Sequence, residues 1–82
     1  MARLHLTLTL HAILRDYRPS WPIGGPVELE LDDSVTVRAV AGQLGIPENA
    51  LYLAVLNGKP VPLAARLVDG GHLQLFPPVV GG

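Results

Sequence analysis

From Leu4 to Leu14 every even-numbered position is apolar: Leu4, Leu6, Leu8, Leu10, Ala12 and Leu14, with His5, Thr7, Thr9 and His11 between them. Successive side chains of a strand point to opposite faces, so this run predicts a long strand with one face in a core and the other toward solvent. A strand of that kind needs a second layer to cover its leucines. The apolar h-region of a secretory leader is continuous, and alternation is the opposite of that pattern, so the start of the chain reads as a strand and not as a signal peptide or membrane span. The compartment expected by default is the cytoplasm.

The rest of the chain supplies the covering layer. Turn formers crowd the stretch from Asp16 to Gly25, with Pro19, Ser20, Pro22 and Gly24 among them, which ends the first strand and forms a long loop. Val27, Leu29 and Leu31 then alternate with Glu28, Glu30 and Asp32, predicting a second strand hairpinned to the first with a solvated acidic face. Val37, Val40, Ala41 and Leu44 fall at helical spacing. Asp33 and Ser34 offer N-terminal acceptors, Gly45 suits a left-handed cap, and Pro47 forbids continuation, so a helix is expected over Val35 to Leu44. Leu51 to Leu56 is apolar throughout, as for a buried strand, and Asn57-Gly58 is a two-residue hairpin signal returning through Lys59-Pro60-Val61. Pro60 and Pro62 restrict that return to a short edge piece. A turn at Asp69-Gly70-Gly71 leads to a final strand, His72 to Phe76.

The order is hairpin, helix, hairpin-like pair, final strand. A two-layer α+β domain satisfies it, with one helix across a mixed sheet of four or five strands and the last strand parallel to the first. With 82 residues, there is room for one such domain.

Composition narrows the chemistry. A formal charge of −1 with six scattered basic residues offers no stripe for a phosphate backbone, so nucleic acid is not an expected partner. The absence of cysteine removes disulfides, thiolate metal ligands and a thiol nucleophile. His5 and His11 are too far apart along one strand to share a metal, and His72 has no acid or hydroxyl constellation in the sequence around it, so no metal site is expected. No Ser-His-Asp set or phosphate-binding glycine loop is visible.

The most reactive group expected is at the end, where Phe76-Pro77-Pro78-Val79-Val80 is followed by Gly81-Gly82. Two prolines and two valines favour an extended backbone, and the six residues from Pro77 could reach about 20 Å from the domain. Residues 1–76 are therefore read as the domain and residues 77–82 as an extended tail presenting the Gly82 carboxylate to a narrow pocket.

These residues resemble the ubiquitin-like β-grasp sulfur carriers, whose best-known branches are the molybdopterin synthase small subunit (MoaD-like) and the thiazole-synthesis carrier (ThiS-like). The likeness runs through Leu14-Arg15, Leu56-Asn57-Gly58-Lys59, Leu67-Val68-Asp69-Gly70 and, most specifically, the terminal heptapeptide, whose double proline is similar to the molybdopterin branch. The resemblance implies a β-grasp fold and a carrier with no turnover of its own. A ubiquitin-activating-type adenylyltransferase would use ATP to activate the Gly82 carboxylate, and a sulfur donor would convert it to a thiocarboxylate. The tail would then deliver sulfur to the catalytic subunit of molybdopterin synthase, in molybdenum or tungsten cofactor synthesis, or to another acceptor enzyme. No permanently bound cofactor is implied. A carrier for thiazole or thiamine synthesis, and a modifier conjugated to lysines, are the alternatives; a non-covalent module with an incidental Gly-Gly end is the third.

Gly82 is the expected reacting residue. Phe76, Pro77, Pro78, Val79, Val80 and Gly81 are expected to meet partners, with Arg15 and Lys59 as candidate steering cations. Phe76 reads either as part of a partner surface or as a ring packed under its own tail, and Trp21 as a lid on the core or an interface anchor. The family usually carries a second acid after Asp-Gly, where this chain has Gly71, which puts any partner contact made by that acid in doubt.

Overall fold

The computed structural model describes residues 3–17, 21 and 26–78. Five strands form one mixed sheet: β1 (Arg3–Leu10), β2 (Val27–Asp32), β3 (Leu53–Leu56), β4 (Lys59–Val61) and β5 (Gly71–Phe76), in the order β2-β1-β5-β3-β4. The central pair, β1 and β5, is parallel, with Leu6 opposite Gly71 and Leu10 opposite Leu75; every other pairing is antiparallel. The one α-helix among the described residues, α1 (Val37–Gln43), covers one face.

The alternating leucines account for the core. Leu4, Leu6, Leu8 and Leu10 of β1, Leu73 and Leu75 of β5 and Leu31 of β2 are all buried, and they meet Val37, Val40 and Ala41 of α1 with Leu44 just after it. None of the described polar side chains is buried. Trp21 is half-buried against this cluster, which agrees with its reading as a lid; most of the loop around it lies outside the described residues.

Three boundaries differ from the sequence expectation. The first strand ends at Leu10 and not at Leu14, because the chain turns into a 3-10 segment, Ala12–Tyr17, opened by the Leu14 amide donating to the His11 carbonyl at 3.2 Å. Leu14 still reaches the core with no exposure, so its burial survives a change of backbone. The helix begins at Val37 and not at Val35. Val35 and Thr36 are claimed by an extended pairing in which the Leu67 amide donates to the Val35 carbonyl and Thr36 bridges Arg66. The cap is accordingly Thr36, whose hydroxyl accepts from the Ala39 amide at 3.2 Å, while Asp32 and Ser34 close a local turn instead. The third strand is Leu53–Leu56, preceded by a 3-10 turn at Glu48–Ala50; only Ala54 in it is fully buried, because its outer face is open.

A helix of seven residues is far below the length that is stable alone. Its orphan donors are satisfied from outside: Val37 N–H donates to the Ala65 carbonyl and Arg38 N–H to the Leu63 carbonyl, at 3.0 and 2.9 Å. At the other end Gly45, with φ of 77°, donates to Gly42, and Ile46 donates to Ala41. This is the Schellman arrangement that a Gly-Ile-Pro sequence favours. The Asn57-Gly58 hairpin forms as expected, with both residues at positive φ and Leu56 opposite Lys59, and β4 is the short edge strand that its proline dictates.

Candidate functional site

The end of β5 is the place from which a tail would leave, and it is held from both sides. Beyond the regular ladder, the His11 amide donates to the Leu75 carbonyl at 3.1 Å and the Tyr52 amide to the Phe76 carbonyl at 2.9 Å. The strand is therefore bonded up to its final residue, between one neighbour that reads it in parallel and one that reads it antiparallel. At its start, the Gly70 amide donates to the His5 carbonyl and the Asp69 carboxylate accepts from the His5 amide, both at 2.8 Å. Asp69-Gly70 thus docks the turn on β1 before the strand begins. Asn57 does the same from the β3–β4 hairpin, its side-chain oxygen accepting from the His72 amide at 2.9 Å while its own amide donates to the His72 carbonyl.

On the open face of the sheet the side chains of β5 pair with those near β1. The His72 ring lies 3.2 Å from the Thr9 hydroxyl, a partner that reading along the chain did not supply because the two residues meet only across the parallel ladder. His11 Nε2 lies 3.0 Å from Gln74 Oε1. The Phe76 ring stacks on the His11 imidazole, with centroids 4.2 Å apart and planes inclined by 5°. Phe76 is half-buried on this face, directly opposite Leu53 of β3.

An apolar strip adjoins this root. Leu53 and Val55 of β3 are half-buried, opposite Phe76 and Gln74 of β5, and Val55 is also opposite the exposed Pro60 of β4; Tyr52, just before the strand, is 71% exposed. Pro77 is half-buried and Pro78 exposed. A reading of Leu51 to Leu56 as uniformly buried missed this strip; the small Ala54 between larger residues was the available signal that one face is crowded and the other open. The opposite half of the face is acidic. Glu28, Glu30 and Asp32 are exposed along β2, Arg3 and His5 reach Glu30 at 3.1 and 3.4 Å, and His5 lies 3.8 Å from Asp69. At such exposure these pairs contribute little to stability. The Ser34 amide, and then its hydroxyl, hold the Asp32 carboxyl below its ordinary value.

Gly71 occupies the position where the resemblance expects an acid. A Cβ there would stand 2.9 Å from the Val68 carbonyl oxygen and 3.1 Å from a Val68 methyl. The local turn of this chain leaves no room for any side chain at 71, so a partner contact through an acid at that position is absent here. Lys59 is exposed at the hairpin tip. Val79, Val80, Gly81 and Gly82, and the side chain of Arg15, lie outside the described residues. Among the described residues no group of three or more histidine or acidic side chains could hold a metal ion, and no helix is long and apolar enough to cross a membrane.

A five-stranded mixed sheet with parallel central strands and one helix on a face defines the ubiquitin-like β-grasp class. Within it, the model of the ThiS family matches residues 10–82, and the chain belongs to that family. A search of curated proteins gave no match. Among solved structures, the Haloferax volcanii HVO 2177 protein superposes with a TM-score of 0.75 at 25% identity, covering 98% of this chain and 88% of its own. SAMP1 from Haloferax volcanii gives 0.67 at 23% identity, over 95% of this chain and 99% of its own. A Pyrococcus furiosus protein assigned as molybdopterin converting factor subunit 1 gives 0.67 at 21% identity, over 93% and 99%. These last two likenesses speak to the fold.

Proposed function

We propose that the protein is a sulfur carrier, a co-substrate without turnover of its own, in which residues 77–82 form the tail and Gly82 carries the reacting carboxylate. The observation that carries this reading is the end of β5 in a ThiS-family chain, bonded on both sides through Phe76 and running directly into Pro-Pro-Val-Val-Gly-Gly. A tail is useful to a partner only if it starts from a fixed point, because a fixed origin limits the conformations lost on docking.

A carboxylate is a poor electrophile. An adenylyltransferase of the ubiquitin-activating type would join it to the α-phosphate of ATP with release of pyrophosphate, and sulfide would then attack the acyl carbon and expel AMP, leaving a thiocarboxylate. Glycine suits the position because a side chain would obstruct the pocket and narrow the backbone's choices. The apolar strip at Leu53, Val55 and Phe76 would supply the docking surface beside the tail, and Lys59 and Arg15 would assist encounter electrostatically.

The acceptor that fits best is the catalytic subunit of a molybdopterin synthase. The double proline of the tail and the fold shared with a protein assigned as a converting-factor subunit support it. A thiazole-forming acceptor is the alternative within the carrier reading. The cytoplasm is the compartment in which ATP and such partners meet.

The test is a reconstituted transfer assay with the chain lacking Gly82. Retained sulfur transfer would refute the carrier reading. A second reading, attachment of the same carboxylate to lysines of target proteins, is favoured by the likeness to SAMP1, a small archaeal modifier protein by name. Covalent ladders of tagged protein on overproduction of the activating enzyme, abolished by loss of Gly82, would support it.

A further inference from the structure

His11 lies far from the tail in sequence and beside its root in space. Its backbone amide holds the Leu75 carbonyl, its Nε2 faces the carbonyl oxygen of the Gln74 side chain at 3.0 Å, and its ring covers one face of Phe76 at 4.2 Å. The contact with the Gln74 side chain anchors the Nε2 end of the imidazole. The imidazole plane is parallel to the Phe76 ring within 5°. The ring of the last strand residue is therefore oriented by a residue held once through its backbone amide and once through its ring. With one face taken by His11, Phe76 can offer a partner only its other face and its edge.

We propose that His11 is a positioning residue for the tail, acting through Phe76. The stack fixes the ring that sits between the ordered sheet and Pro77, and so sets the direction in which residues 77–82 enter the pocket of the activating enzyme. This inference rests on the carrier reading and adds to it a residue that touches neither the carboxylate nor ATP.

The experiment is ATP–pyrophosphate exchange catalysed by the activating enzyme with the full chain as variable substrate, run well below the unfolding midpoint of every variant. His11→Leu keeps apolar bulk and removes the stack. It should raise KM by about two- to tenfold, the range corresponding to one aromatic pair, with kcat unchanged because the carboxylate is the same. His11→Phe, which restores a ring but not the Nε2 hydrogen bond, should return KM to within about twofold of wild type. A role confined to stability would leave KM of both folded variants unaltered. Exchange with wild type but no change in KM for His11→Leu overturns this inference alone, as does failure of His11→Phe to rescue. No exchange with the wild-type chain overturns the carrier reading and this inference with it.

Discussion

Replacing Gly71 with alanine adds one methyl group at the most confined of the described glycines. The new Cβ would lie 2.9 Å from the Val68 carbonyl oxygen, 3.1 Å from a Val68 methyl and 3.3 Å from a Leu56 methyl. The Leu56 methyl can rotate away. The carbonyl cannot recede freely, because it accepts the Gly71 amide at 3.0 Å and closes the turn in which Gly70 sits at φ of 77°. Overpacking of a filled site costs about 1–3 kcal/mol, and weakening the turn hydrogen bond costs up to about 1 kcal/mol more. Stiffening the unfolded chain returns about 0.4–1 kcal/mol. The midpoints of these ranges net to a destabilisation of about 2 kcal/mol, equivalent to a fall in Tm of roughly 8–16 °C for a domain of this size. Urea unfolding followed by circular dichroism measures it, with an unchanged m-value as the sign that only stability moved. A Gly71→Ala protein as stable as wild type, or more so, would refute the steric account of why no acid stands at this position.

Gly42 is the matched opposite. It lies exposed in α1 with nothing within 4 Å of the position a Cβ would take, so Gly42→Ala should stabilise by up to about 1 kcal/mol; a lowered unfolding midpoint would contradict that. Leu75 is fully buried in the central strand, and Leu75→Ala should cost about 2–5 kcal/mol of the roughly 4–12 kcal/mol expected for a domain of this size. A measured loss below about 1 kcal/mol would mean that the site collapses around the deletion. Asp32 has a depressed folded-state pKa, so its contribution is complete above the ordinary carboxylate value of 3.8 and is lost as the pH falls through the folded-state value. Asp32→Ala should therefore be less stable than wild type at neutral pH, with the difference closing in acid; a difference independent of pH would rule the Ser34 contacts out as its cause.

Much of the fold was legible because its determinants are local and periodic. The leucines of β1, the helical spacing from Val37 to Leu44, Gly45-Ile46-Pro47 and Asn57-Gly58 each name a conformation within a few residues. The departures arose where distant segments competed for the backbone. Asp33, Ser34 and Thr36 are all N-cap residue types within four positions, and the choice among them is made from a distance, by the pairing of Val35 and Thr36 with Leu67 and Arg66. Leu14 stays in the core although the chain has already left the sheet, a change of backbone that the side-chain pattern does not encode. The site divides in the same way. The tail residues were readable as a motif, whereas the His11–Phe76 stack, the His72–Thr9 contact and the docking of Asp69 on His5 all depend on the parallel register of β1 and β5.

The central claim concerns a single carboxylate. The measurement that tests it most directly is the intact mass of the native chain after incubation with ATP, a ubiquitin-activating-type enzyme and sulfide. The account predicts a gain equal to the exchange of one oxygen for one sulfur, localised to the C-terminal peptide and abolished by deletion of Gly82. An unchanged mass with activating enzymes that load other ThiS-family carriers under the same conditions would contradict it.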